Sequence, residues 1–136
     1  RLQDREEFVQ NRLESARILR IMGKASEQEV PALIDLLESG IGGWQVAAIE
    51  AIAEIGPDAK GTLPYLTTLL QKNQGFYWPT IRVAVCKALP TLGADAKAAV
   101  PALLRIINDD HPQVRWNAVQ ALIAIDMDAA KKAGVR

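Results

Sequence analysis

The sequence predicts an all-α protein, an α-α superhelix made of one orphan N-terminal helix followed by three helix pairs. The first observation is a helical period in the apolar residues of 100–107 and 114–125. A polar turn that contains a proline, 108–112, separates these two runs. A helix that is apolar on two neighbouring faces has to be covered on both, so one such pair needs neighbours on each side.

A repetition of this unit along the chain is the second observation. Segments 30–37, 63–70 and 100–107 read VPALIDLL, LPYLTTLL and VPALLRII, and their prolines are spaced by 33 and 37 residues. A second landmark closes each unit, at spacings of 33, 37 and 33 residues: Gly23, Gly56, Gly93 and Asp126. The prolines and the second landmark repeat at matching spacings, which argues against a non-repetitive helical bundle whose segments resemble each other by chance. A period in this range is typical of a helical solenoid.

The predicted units follow in chain order. Residues 1–25 form a charged helix, which we interpret either as the cap of the array or as what is left after earlier repeats were removed. The chain begins with Arg1 and not with methionine, so we expect it to have been trimmed or cut from something longer. The three repeats are predicted at 26–56, 57–93 and 94–126, with a C-terminal tail at 127–136.

Several helix ends are marked by local signals. The residues SEQE at 26–29 fit a capping box, which opens a first helix that runs to about Ser39. The second helix of this repeat is expected at 44–55. The first helix of the next repeat should end near Gln71. Pro90 lies inside the second helix of that repeat and should bend it, because proline removes one backbone hydrogen bond.

The second helix of the third repeat is apolar on two neighbouring faces. One face contains Val114, Ala118, Ala121, Leu122 and Ile125, and the adjacent stripe contains Trp116, Val119 and Ile123. This pattern predicts a helix sandwiched between neighbours, with Ala121 and Leu122 buried between the second and third repeats.

An insertion distinguishes the middle repeat. Its segment from Leu70 to Gly93 is four residues longer than the equivalent segments of the other two repeats, and it contains Phe76, Tyr77 and Trp78. Insertions in repeat arrays collect on loops, often on the binding side, and exposed aromatic rings anchor interfaces. These three rings are therefore candidate partner-binding residues. The alternative is that they fold back and fill the ridge between repeats.

The pattern resembles the HEAT repeat family, in the short bacterial form often called PBS-lyase HEAT-like repeats. The resemblance rests on the first-helix segments quoted above and on DDHPQVRWNAVQALIAID at 109–126, where a valine-arginine pair, alanines and Ala-Leu follow one another. It covers about residues 4–126. It implies the fold more strongly than any function, because the family serves many unrelated purposes.

Two groups of candidate residues follow from this resemblance. In the family, second helices line a concave face, which implies an exposed set of candidate partner-binding residues: Glu50, Glu54, Lys87, Asn117 and Gln120. The family also often pairs an arginine of the second helix with a turn aspartate to tie repeats together. Here the arginines are Arg82 and Arg115, and the aspartate is Asp109 or Asp110. The first repeat has Gln45 at the arginine position, so this ladder is incomplete there.

Composition excludes several classes of function. Sixteen basic and sixteen acidic residues cancel, which argues against a general nucleic-acid binder. The single cysteine, Cys86, excludes an internal disulfide and favours a buried, unreactive thiol. The single histidine, His111, precedes a proline in a turn and has no nucleophile or metal-ligating partner around it. No phosphate loop, signal peptide or transmembrane run is visible. We therefore expect no enzyme, no cofactor and no metal.

The resulting hypothesis is a protein–protein interaction scaffold that binds through its concave second-helix face and its aromatic loop. The partner is expected to be another protein, with no nucleic acid, and the chain to be a monomer. The alternative is an enzyme-associated subunit, similar to a bilin lyase, or a HEAT-like DNA-lesion glycosylase.

Overall fold

A computed structural model describes residues 29–71 and 78–134, and in these two ranges the chain forms helices and turns without a strand. The all-α prediction is thereby confirmed. The α-helices are α1 (Val30–Leu37), α2 (Gly42–Ile55), α3 (Leu63–Gln71), α4 (Trp78–Ala88), α5 (Val100–Ile106), α6 (Pro112–Ile125) and α7 (Met127–Lys132). Two 3-10 helices, Gly56–Thr62 and Leu89–Ala99, link the repeats. The orphan helix predicted within 1–25 lies outside the described residues.

Three helix pairs stack one after another: α1 with α2, α3 with α4, and α5 with α6. The second helices α2, α4 and α6 pack against each other far more extensively than the first helices α1, α3 and α5 do. Because closer packing occurs on the shorter arc of a curved stack, the second helices form its inner side. The two 3-10 links also stack, and an exposed ion pair of 4.0 Å joins Lys60 of one to Asp95 of the next.

One continuous apolar core runs through the three pairs. Leu122 is fully buried and Ala121 is 2 % exposed, as the stripe of α6 predicted. The first helices present leucines or isoleucines inward at the same register in each repeat, because each repeats the same apolar spacing. The largest fully buried side chains are Leu33, Leu36, Ile49, Ile52, Leu66, Leu70, Leu89, Leu92, Leu103, Leu122, Val85 and Val114.

Glycine is required where α2 ends and inside the second link. Gly56 and Gly93 have φ angles of 79° and 83°, in the half of conformational space that residues with a Cβ rarely adopt. Asp126 occupies the equivalent point in the third repeat with φ of −153°. Its carboxylate instead accepts a 3.1 Å hydrogen bond from the Ala129 amide and caps α7 within the predicted C-terminal tail.

Helix α4 ends at Ala88, before Pro90, so the prediction that Pro90 lies inside this helix is wrong. A proline nitrogen cannot donate to the Cys86 carbonyl, and the backbone tightens into the 3-10 link. The Thr91 hydroxyl donates to the Ala88 carbonyl and satisfies one of the free acceptors at this helix end. Consequently four residues separate the end of α4 from its landmark Gly93, whereas α2 and α6 continue up to Gly56 and Asp126.

The other helix ends lie close to their predicted positions. Helix α2 begins at Gly42, two residues before the prediction, and α3 is described as far as Gln71, where the first described range ends. Helix α1 begins at Val30, and the Glu29 side chain makes no capping hydrogen bond; the rest of the predicted capping box, 26–28, lies outside the described residues. None of the helices in the described ranges is long and apolar enough to cross a membrane.

Candidate interaction surface

The inner side of the stack exposes one face of each second helix. Aligning α2, α4 and α6 at their C-terminal landmarks places Val46, Val83 and Trp116 at one register position and Glu50, Lys87 and Gln120 one turn later. We call these six residues the inner face. Val46 and Val83 are half-buried, whereas the other four side chains are exposed. The face therefore combines an apolar row with a row of polar and charged groups.

Trp116 is 63 % exposed, the largest exposure among the large hydrophobic side chains in the described ranges. The interpretation of α6 as fully sandwiched is therefore wrong at this residue, while Val119 and Ile123 of the same stripe are half-buried. The register position of Trp116 on its helix explains why it is more exposed than Val119 and Ile123. Val46 and Val83, at the same register position, are half-buried and pack against the core, so this position lies at the edge of the packed face of each second helix.

A groove opens between the N-terminal ends of α4 and α6, beside the inner face. Its volume is about 330 Å³, and it is lined by Pro79, Thr80, Val83, His111, Pro112 and Gln113. Pro79 and Pro112 occupy the first turns of their helices, where a missing amide hydrogen costs no intrahelical bond. Val83 belongs to both the groove and the inner face, so the two form one continuous surface.

Arg82 ties the second repeat to the third. Its Nη1 donates to Oδ2 of Asp109 in the turn before α6, and the two side chains are only 10 % and 7 % exposed. The other carboxylate oxygen of Asp109 accepts from the His111 amide at 2.9 Å and lies 3.1 Å from Nδ1 of His111. The sequence named Arg82 and Asp109 as possible partners, and the structure brings them together.

The equivalent residues of the other repeats make different contacts. Nη1 of Arg115 donates to the carbonyl oxygen of Asp109 at 2.7 Å, within its own repeat. Nε2 of Gln45, which is buried, donates to the Leu37 carbonyl at 2.8 Å. Asp110 is exposed in the turn. Each of these three second helices thus uses a polar residue at one register position to hold the preceding turn or the helix next to it.

The pKa values of two groups at this boundary are displaced. Burial by itself raises the pKa of Asp109, but the hydrogen bonds from His111 and the charge of Arg82 outweigh it, so this pKa lies below its usual value. Burial raises the pKa of the Cys86 thiol to about 12, with Arg82 acting in the opposite direction. Asp109 is therefore held as a carboxylate and Cys86 as a neutral thiol.

Comparison with known families agrees with this geometry. Residues 79–133, from α4 to α7, match the sequence model of HEAT repeats. This part of the chain, from α4 to α7, therefore contains HEAT repeats. A search of curated proteins and a search of solved structures each gave no significant match. The PBS-lyase-like subtype and the relation to bilin lyases or DNA glycosylases stay predictions.

Not every candidate residue lies on the open surface of this helical stack. Asn117 is 7 % exposed, and its amide nitrogen donates to the Gln113 carbonyl at 2.8 Å, so its side chain is turned toward its own helix. Glu54 is exposed one turn after Glu50 on α2. Trp78 begins α4 and packs half-buried against the core, which agrees with the space-filling alternative for this ring. Phe76 and Tyr77 lie outside the described residues.

Both side chains that the sequence analysis considered for chemistry, Cys86 and His111, make contacts within the fold. Cys86 is buried in the core, and the His111 ring lies against the Asp109 carboxylate. Within 29–71 and 78–134, no group of three or more histidine, cysteine, aspartate or glutamate residues is arranged to hold a metal ion. Two neighbouring residues were placed incorrectly by the sequence pattern: Asn117 is buried, and Trp116 is exposed. The sequence feature that could have indicated the exposure of Trp116 is its large indole ring, at a register position where the other two repeats have valine.

Proposed function

We propose that the protein is a protein–protein interaction scaffold whose partner binds the inner face of the second helices. The observation that carries this proposal is the 63 % exposure of Trp116. Keeping an indole in water is unfavourable, and tryptophan is among the residues most enriched at the energetic centres of interfaces. HEAT repeats commonly mediate contacts between proteins, which supports the same conclusion at the level of the family.

The surroundings of Trp116 favour a protein ligand. An apolar row continues from Trp116 to Val83 and Val46, and polar groups border it at Lys87 and Gln120. An apolar centre with a polar rim is the usual composition of a protein interface. We also propose that the role is not catalytic, since the lone histidine and the lone cysteine are engaged in the turn and in the core.

The experiment compares capture and affinity for the wild type and two serine variants. Trp116→Ser removes the proposed anchor, and Met127→Ser, which changes a 47 % exposed side chain on α7, is the matched control. Proteins retained by the wild type are identified, purified and titrated against the wild type and both variants. We expect Trp116→Ser to weaken binding by about 2 kcal/mol, roughly thirtyfold in Kd. Met127→Ser should bind as the wild type does.

The thermal midpoints of both variants are measured alongside. Both side chains are exposed, so both variants should unfold within a few degrees of the wild type. A partner that binds Trp116→Ser and the wild type equally would contradict the proposal, because the inner face would then contribute nothing to recognition.

A further inference from the structure

The inner face changes charge from one helix to the next. Glu50 and Glu54 are exposed on α2, four residues apart and so on the same side of the helix. Lys87 is exposed on α4, and neither α4 nor α6 contains an aspartate or a glutamate. Val83 and Trp116 therefore form an apolar end of the surface. Lys87 lies next to this end and is positive, and Glu54 on α2 is negative.

This arrangement defines a complementary ligand. An apolar side chain fits over Val83 and Trp116, where the 330 Å³ groove offers room beside it. An acidic side chain fits next to Lys87, and a basic one next to Glu54. Packed helices have axes about 8–10 Å apart, and Glu54 lies about one turn, roughly 5 Å, beyond the register position of Lys87, so the two ligand charges should be separated by more than about 10 Å.

We infer that the inner face binds a linear peptide segment of a partner protein that carries an apolar anchor, an acidic residue and a basic residue, in this order from α6 to α2. The inference rests on the proposed function and adds the chemistry of the partner to it. Opposite charges across an interface set register and partner choice, while the apolar anchor supplies most of the affinity. A segment with the charges exchanged meets like charge at both positions.

The test uses a displayed library of short linear peptides, selected against the complete chain. Four proteins are compared: the wild type, Trp116→Ser, Lys87→Glu and a matched control, Lys97→Glu, which changes an exposed lysine of the second link away from the inner face. Circular dichroism first verifies that all four are folded with similar thermal midpoints. Enriched peptides are then synthesised and their Kd values are measured.

We expect the wild type and Lys97→Glu to enrich peptides that contain an apolar residue, an acid and a base in the stated order. Lys87→Glu should enrich peptides with a base in place of the acid. It should also bind the wild-type peptides about tenfold or more weakly, as expected when an attractive interfacial charge becomes repulsive. Trp116→Ser should lose binding to both sets.

The failures of the two claims are distinguishable. If enriched peptides depend on Trp116 but bind Lys87→Glu and the wild type equally, the charge order is wrong and the interaction surface remains. If no enriched peptide depends on Trp116, the proposed function of the inner face is contradicted as well.

Discussion

Arg82 on α4 donates a charge-assisted hydrogen bond to Asp109 across the boundary between the second and third repeats, and both side chains are nearly excluded from water. Asp109 also accepts the His111 amide hydrogen bond and so orders the turn that begins α6. One carboxylate thus couples the stacking of two repeats to the start of a helix on the inner face.

Removing the arginine should destabilise the fold strongly. Arg82→Ala leaves the Asp109 carboxylate buried without its cationic partner, and breaking a buried pair in this way costs about 3–5 kcal/mol. Arg115→Ala is the matched control, because Arg115 has the same register position but is exposed and donates to the carbonyl oxygen of Asp109, not to a carboxylate. The control should cost about 1 kcal/mol or less. Chemical denaturation measures both values, and equal losses would contradict a special role for the buried pair.

The same carboxylate should make stability depend on pH. The pKa of Asp109 in the folded state lies below the value of 3.8 expected for the free group, so folding favours its charged form. Its stabilising contribution is complete above pH 3.8 and is lost as the pH falls through the lower folded-state pKa.

Asp109→Asn and the control Asp110→Asn isolate this contribution. The difference in free energy of unfolding between the wild type and Asp109→Asn should be largest near neutral pH and should shrink below pH 3.8. Asp110 is exposed, so Asp110→Asn should follow the wild type more closely. A difference between wild type and Asp109→Asn that stays constant down to acid-induced unfolding would contradict the lowered pKa.

Cys86 reports on opening of the core. Its thiol is 2 % exposed and has a pKa raised to about 12, so near pH 8 it is neutral and inaccessible to a thiol reagent. We expect labelling of the native protein to be limited by unfolding or local opening and to become fast in denaturant. Labelling of the native protein as fast as that of the unfolded chain would mean that the thiol is not buried in solution.

Serine variants of Trp78 and Trp116 should differ in their effects: the first should lower the stability of the fold, and the second should weaken partner binding. Trp78 packs half-buried against the core, so Trp78→Ser should cost about 1–2 kcal/mol of stability from lost apolar burial. Trp116→Ser should leave the thermal midpoint nearly unchanged while it weakens partner binding. Thermal unfolding of the two variants side by side tests this division, and the opposite ranking of midpoints would exchange the roles of the two rings.

Much of the architecture was readable from the sequence because the repeat makes the same signals recur. The apolar spacing and Gly56 and Gly93 located all three helix pairs in the described ranges, and the buried leucines followed from the same period. The position of Pro90 was not predictable in the same way, because the apolar spacing does not show where the α-helix gives way to the 3-10 link that contains this proline.

The candidate surface was harder to predict. Helical periodicity identifies which residues share a face, but it does not say whether a neighbouring repeat covers that face. Trp116 belongs to an apolar stripe and is nevertheless exposed, whereas the polar Asn117 is buried and bonded to its own helix. The packing between neighbouring second helices decides both outcomes: Trp116 lies at the edge of the packed face and Asn117 lies within it.

The most direct measurement of the central claim is oxidative footprinting of the protein alone and bound to its partner. Trp116 and Met127 are both oxidisable and exposed, at 63 % and 47 %, but only Trp116 lies on the inner face. We predict that the partner strongly reduces oxidation of Trp116 and leaves that of Met127 unchanged. Unchanged oxidation of Trp116 in a saturated complex would show that the partner binds elsewhere and would contradict the proposed interaction surface.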